Sequence, residues 1–121
     1  MSLYRKKLGR RGEDEVCRRL KKQGFRLLAQ NYTIRGGEID LIMTKDEKII
    51  FVEVKTRSSR EYGDALESIT YRKKQSLVRA AEIFLQERSL SHCDVAFWAA
   101  AVYTDTQEKI EKVEIIPDIF V

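Results

Sequence analysis

Residues 36–57 read GGEIDLIMTKDEKIIFVEVKTR, and this stretch decides the fold. Two apolar runs, Glu38–Thr44 and Ile49–Lys55, flank the polar Lys45-Asp46-Glu47-Lys48. That is the pattern of an antiparallel β-hairpin. A turn centred between Asp46 and Glu47 makes Asp40 face Glu53 and Glu38 face Lys55, and pairs Ile42 with Phe51 and Thr44 with Ile49. The opposite side then carries Ile39, Leu41, Met43, Ile50, Val52 and Val54. One side is wholly apolar; the other is apolar near the turn and ionic at the far end. A slip of one residue would mix the two sides, which supports this register; a bulge would spoil it.

Charged residues are depleted in strands and rarely buried unpaired. Facing Cβ atoms in a hairpin lie about 4.5–5.5 Å apart. Two carboxylates that close repel, raise a pKa or share a cation. Oxygen ligands suit a hard ion, Mg²⁺ or Mn²⁺, and Mg²⁺ usually takes one or two carboxylates together with waters and substrate phosphate. Lys55, two residues after Glu53, projects to the same side. There it could stabilise charge on a phosphate or help deprotonate a water. The alternative is an exposed strand face with cross-strand ion pairs, in which Glu38–Lys55 is one pair and Asp40–Glu53 an unexplained clash of like charges.

Working outward, Ser2 to about Gln23 reads as helix, with Gly9 and Gly12 as points of interruption. Leu8, Val16, Cys17 and Leu20 form its apolar stripe, and Glu13 shares that face. Gly24 suits a helix stop. A strand follows in which Phe25, Leu27 and Ala29 alternate, and Arg35-Gly36-Gly37 makes a turn. Beyond the hairpin, residues 57–63 read as a polar loop. Thr70 suits the N-cap of a second helix running to about Arg88, with Leu77, Ala81, Phe84 and Leu85 as its stripe. Cys93–Tyr103 is an apolar strand, Thr104–Glu108 a turn, and Ile110–Ile116 a last edge strand ending at Pro117. The order αβββαββ implies an α/β fold, a mixed sheet flanked by helices.

The 121 residues suit a single domain, and 43% hydrophobic with 35% charged residues is too apolar for a disordered chain. The N-terminus has no apolar signal-like run, and the longest apolar run, Val95–Tyr103, falls short of the roughly 20 residues that span a bilayer. A cytoplasmic protein with no membrane partner is expected. Cys17 and Cys93 form no CxxC pair, so a zinc ribbon is not expected and two buried thiols are. The lone His92 is expected to be structural. Residues 1–30 hold ten basic and three acidic residues, a charge of +7 on a chain whose net charge is +4. A basic segment on a near-neutral body suits a polyanion, or a solvated helix face.

GGEIDLI, the turn, FVEVKTR, the later YGDALESITYRKKQSL and the earlier GRRGEDEV together resemble the YraN-like family of bacterial proteins. That family is similar to the restriction-endonuclease-like, or PD-(D/E)xK, superfamily, and especially to archaeal Holliday-junction resolvases. The resemblance spans roughly Gly9 to Leu85. It implies Asp40 and Glu53 as metal ligands, Lys55 as the catalytic lysine and Glu13 as an additional acid; a helix-dipole role for Glu13 is the alternative. Lys73 matches a basic family position, or is a solvated lysine. Ile39-Asp40 stands where the superfamily has Pro-Asp, His92-Cys93 stands where Arg-Phe is usual, and Glu38 is an acid that many such nucleases lack.

The activity so implied is a Mg²⁺- or Mn²⁺-dependent DNA endonuclease, with branched or recombining DNA as a substrate class. Glu38 or Glu13 would assist the metal ligands, and Arg10, Arg11, Arg18, Arg57, Arg60 and Lys73 are candidate nucleic-acid contacts. Branched DNA has two symmetric cleavage points, so a homodimer would suit it. The alternative is a non-cleaving nucleic-acid-binding accessory protein of the same fold.

Overall fold

The computed structural model of the chain describes residues 3–58 and 69–120. Its elements are α1 (Leu3–Lys22), β1 (Arg26–Ile34), β2 (Gly37–Lys45), β3 (Lys48–Ser58), α2 (Tyr71–Glu87), β4 (Asp94–Thr104) and β5 (Ile110–Ile116). The order αβββαββ is the one expected. The strands form one sheet in the order β1-β2-β3-β4-β5, in which only β3 and β4 are parallel.

The β2–β3 hairpin closes on Asp46 and Glu47, at φ 51° and 64°. Positive φ at both central residues is what a tight two-residue turn between right-twisted strands requires. The ladder then runs from Lys45–Lys48 through Ile42–Phe51 to Leu41–Val52, the register expected from the turn. Ile42, Ile49 and Phe51 face α2, and Leu41, Met43, Ile50 and Val52 face α1.

Each helix covers one side of the sheet with the stripe its periodicity supplies. α1 seats Val16, Cys17 and Leu20 against Leu41, Val52 and Val102. It is unbroken at Gly9 and Gly12. Gly12 marks the point where the helix crosses β3, for a Cβ there would overlap Thr56 Oγ1. α2 begins at the expected cap: Thr70 Oγ1 accepts a hydrogen bond from Lys73 N at 3.1 Å, satisfying one of the free amides of the first turn. Its stripe of Leu77, Ala81 and Phe84 packs on Phe51 and Ile42. β4 is apolar nearly throughout because it is interior, with β3 on one side and β5 on the other.

Several expectations are corrected. Phe25, Leu27 and Ala29 do not share a side. A bulge between Leu27 and Ala29 leaves Phe25 and Leu27 toward α1 and turns Ala29 toward α2. Ile39 also leaves the side of Leu41 and Met43 and packs with Ile42 on the α2 side. β3 continues through Arg57 and Ser58, so the polar segment begins later than expected, and β4 takes in Thr104. Cys17 is buried, but Cys93 is only half-buried; both are free thiols. His92 is exposed, its Nε2 3.6 Å from Cys93 Sγ. Among the described residues no helix is long and apolar enough to cross a membrane.

Candidate functional site

The β2–β3 ladder stops at Leu41–Val52, one pair short of Asp40 and Glu53. In this register the next hydrogen-bonded pair would be Ile39 and Val54. Instead Val54 N donates to Asp40 Oδ2 at 2.8 Å. A side chain has taken the place of a backbone carbonyl, and the strands part around it. Asp40 and Glu53 therefore do not meet as an ordinary cross-strand pair. They line the cleft that this parting opens.

β1 flanks β2 behind the cleft. Asn31 stands opposite Asp40 in the β1–β2 register and takes φ 52°. Asn tolerates left-handed backbone better than most residues do. Past this point Tyr32 and Ile39 both pack on the α2 side, where strict alternation would send Ile39 toward α1. Asn31 Nδ2 donates to Glu13 Oε1 at 2.9 Å and to Glu38 Oε1 at 3.2 Å. One amide thus ties the acid of α1 to the acid of β2. Sequence reasoning missed Asn31. The signal was an asparagine inside LLAQNYTI, an otherwise good strand.

The cleft encloses about 340 Å³ and is lined by Glu38, Asp40, Glu53, Thr70, Arg72 and Lys73, with Ser76 and Leu77. Lys73 Nζ lies 2.9 Å from Glu53 Oε1. Glu53 Oε2 is buried and has no hydrogen-bond partner among the described residues. Asp40 is pushed up to about 8, first by burial and then by the Glu53 charge; the Val54 amide pulls the other way, and Glu13 and Glu38 add to the rise. Glu13 is also raised, mainly by burial, against the hydrogen bond from Asn31.

The structure therefore brings Glu13, Glu38, Asp40, Glu53 and Lys73 to one end of the hairpin. The expected pairing of Glu38 with Lys55 is absent, because the ladder has ended and Glu38 bonds Asn31 instead. Lys55 is exposed on β3, two residues beyond Glu53. Arg10 acts on Glu13 through its charge, and Arg11 is exposed. Arg18 is exposed and engaged by Glu15, its Nε 3.0 Å from Glu15 Oε2. Arg57 is half-buried on β3 and is not in a loop. Arg60 lies outside the described residues.

Among the described residues no three His, Cys, Asp or Glu side chains are gathered tightly enough to enclose a metal ion by themselves. Mg²⁺ does not need such a cage, since it keeps several waters and is usually held by one or two carboxylates. A buried carboxylate oxygen with no partner among the described residues, beside an acid whose ionisation is suppressed first by burial and then by its neighbour's charge, fits an ion of that kind.

Comparison with known proteins agrees with the YraN-like resemblance at the level of the family. The model described as "Uncharacterised protein family UPF0102" matches residues 12–113. The chain belongs to the UPF0102 family. A UPF0102 protein of Moorella thermoacetica is 38% identical over 120 residues, which is 99% of this chain and all of that one. One from Pelotomaculum thermopropionicum is 39% identical over 120 residues, again 99% of this chain and all of the relative. One from Pseudomonas aeruginosa is 46% identical over 81 residues, 67% of this chain and 65% of the relative. The UPF0102 match takes in Glu13, Asn31, Glu38, Asp40, Glu53, Lys55 and Lys73.

Proposed function

We propose that the chain is a divalent-metal-dependent DNA endonuclease of the PD-(D/E)xK type, related to archaeal Holliday-junction resolvases and acting on branched or recombining DNA. The observation that carries this reading is the parted hairpin. Asp40 and Glu53 face one cleft, one oxygen of Glu53 is buried with no partner among the described residues, and Asp40 resists ionisation. Two half-buried carboxylates beside a single ammonium are destabilising in a poorly solvated place, and a functional role accounts for keeping them there.

Asp40 and Glu53 would hold Mg²⁺ or Mn²⁺, with Glu13 and Glu38 bearing on the same site through Asn31. An ion held there polarises a phosphate and lowers the pKa of a bound water. The Val54 amide fixes one Asp40 oxygen, and the other would be offered to the ion. Lys55, exposed and two residues beyond Glu53 on the same strand, would meet a phosphate or an attacking water. Arg10, Arg11 and Arg57 would contact the DNA backbone, which positions a duplex without reading its sequence. Two such sites in a homodimer would match the symmetry of a four-way junction.

The test is Mn²⁺-dependent cleavage of a four-way DNA junction and of a plain duplex by wild type and Asp40→Asn. Cleavage by wild type alone supports the proposal. Undiminished cleavage by Asp40→Asn sinks it. A second reading is a non-cleaving nucleic-acid-binding protein, and the Lys73–Glu53 pair favours it, since the chain already provides a cation at the cleft. It predicts salt-sensitive DNA binding that survives both Asp40→Asn and Glu53→Gln, with no cleavage by wild type.

A further inference from the structure

We propose that Lys73 is the resident counter-ion of the carboxylate cleft, and that a divalent cation enters by exchange with it. The inference rests on the metal-site reading above and adds what the ion must displace. Lys73 sits in the first turn of α2, whose start is set by the Thr70 cap. From there its ammonium reaches Glu53 Oε1 at 2.9 Å. The Glu53 side chain is 11% exposed, and that of Lys73 is 37% exposed. The acid is thus fixed in the wall while its partner lies nearer solvent, on a flexible four-carbon stem.

The pair leaves the cleft only partly neutralised. Lys73 brings one charge to a group of four acids, Glu13, Glu38, Asp40 and Glu53. It satisfies one oxygen of Glu53 and leaves Oε2 buried with no partner among the described residues. Asp40 is not paired with it and, among the described residues, takes the Val54 amide. A divalent ion would bring two charges, and Asp40 and Glu53 would hold it. It therefore relieves what the ammonium leaves unrelieved. Two cations cannot share Glu53 at contact distance without repulsion, so entry of one loosens the other. The freed ammonium stays tethered one helical turn from the Thr70 cap, at the cleft wall. There it can meet an anion such as a phosphate.

Exchange lowers the apparent affinity for the ion by the fraction of time Glu53 is open. The experiment is calorimetric titration of the full chain with Mn²⁺ alone, for wild type, Lys73→Gln, Lys73→Arg and Asp40→Asn, with melting of each in chelator. Lys73→Gln is expected to bind Mn²⁺ about tenfold more tightly than wild type, the factor for a site open about a tenth of the time. It should also melt lower than wild type in chelator and gain more on adding Mn²⁺. Lys73→Arg, which restores the charge, should return toward the wild-type affinity; a purely structural role for Lys73 would not give that recovery. Equal or weaker Mn²⁺ binding by Lys73→Gln, with wild type binding and Asp40→Asn not, overturns the exchange and leaves the metal site standing. Absence of Mn²⁺ binding in both wild type and Lys73→Gln overturns exchange and metal site together.

Discussion

Val54 N donates to Asp40 Oδ2 at 2.8 Å, and with that bond the β2–β3 ladder ends. The same carboxylate closes the sheet at this point and faces the cleft. Its two duties can be separated, because an asparagine keeps the acceptor and removes the charge.

Asp40→Asn should therefore change how stability depends on pH in metal-free solution. The Asp40 pKa is raised from 3.8 to about 8 by burial and the Glu53 charge, so between those values the folded protein binds a proton that the unfolded chain has lost. Stability from this group is fully present below about pH 4 and is lost as pH rises toward 8. Urea denaturation in chelator should show wild type losing roughly 2 kcal/mol or more across that window. Asp40→Asn should lose much less. Parallel curves for the two proteins would refute the account of Asp40.

Asn31 offers a test of the acidic cluster that leaves the backbone alone. Aspartate also tolerates left-handed φ, so Asn31→Asp keeps the turn of the strand but replaces the shared donor with a further acid between Glu13 and Glu38. A loss of about 1–3 kcal/mol is expected at pH 8, shrinking near pH 4. A loss independent of pH would mean that the Nδ2 bonds matter little.

The glycines of α1 should respond in opposite senses to alanine. At Gly9 nothing lies within 4 Å of an added Cβ, so Gly9→Ala should gain about 0.5–1 kcal/mol from helix propensity. At Gly12 the Cβ would meet the buried Thr56 hydroxyl, so Gly12→Ala should lose about 1–3 kcal/mol by pushing α1 off β3. Equal gains at both sites by urea denaturation would contradict the docking of α1.

Lys55 separates binding from chemistry. It is exposed and no ion pair holds it among the described residues. Lys55→Ala should keep Mn²⁺ affinity and folding stability near wild type. Single-turnover cleavage of a junction should fall by about 10²–10⁴-fold, the range for loss of a group acting on the transferred proton or the developing charge. Cleavage within about twofold of wild type would remove Lys55 from the mechanism.

What sequence could reveal follows from what is local. The register of β2 and β3 was legible because a two-residue turn and a strict division of apolar from ionic sides allow only one pairing. The start of α2 was legible because Thr70 caps its own helix. The bulge after Leu27, the left-handed Asn31 and the crossing of Ile39 to the α2 side were not. Each answers to the way β1 wraps the hairpin, which no periodicity encodes. The replacement of a ladder bond by the Asp40 carboxylate was hidden for a related reason: pattern arguments count side chains by face and overlook their competition with the backbone. Glu13 could be placed on the inward face of α1, but its link to Glu38 runs through Asn31. Lys73 read as a basic family position and candidate nucleic-acid contact, or as a solvated lysine; its pairing with Glu53 came only with the docking of α2.

The two-residue turn at Asp46-Glu47 also bears on the order in which the chain assembles. Hairpins close within about 1–10 μs, whereas the parallel β3–β4 ladder must wait for the crossover through α2. Asp40 and Glu53 are brought together by the early event, and Lys73 arrives with the late one. For that interval the nascent site holds its acids without their ammonium. Charge repulsion there should act as a kinetic brake, so stopped-flow refolding at pH 8 should run faster for Asp40→Asn than for wild type. The cluster proposed to hold a cation would thus also slow the chain's route to it.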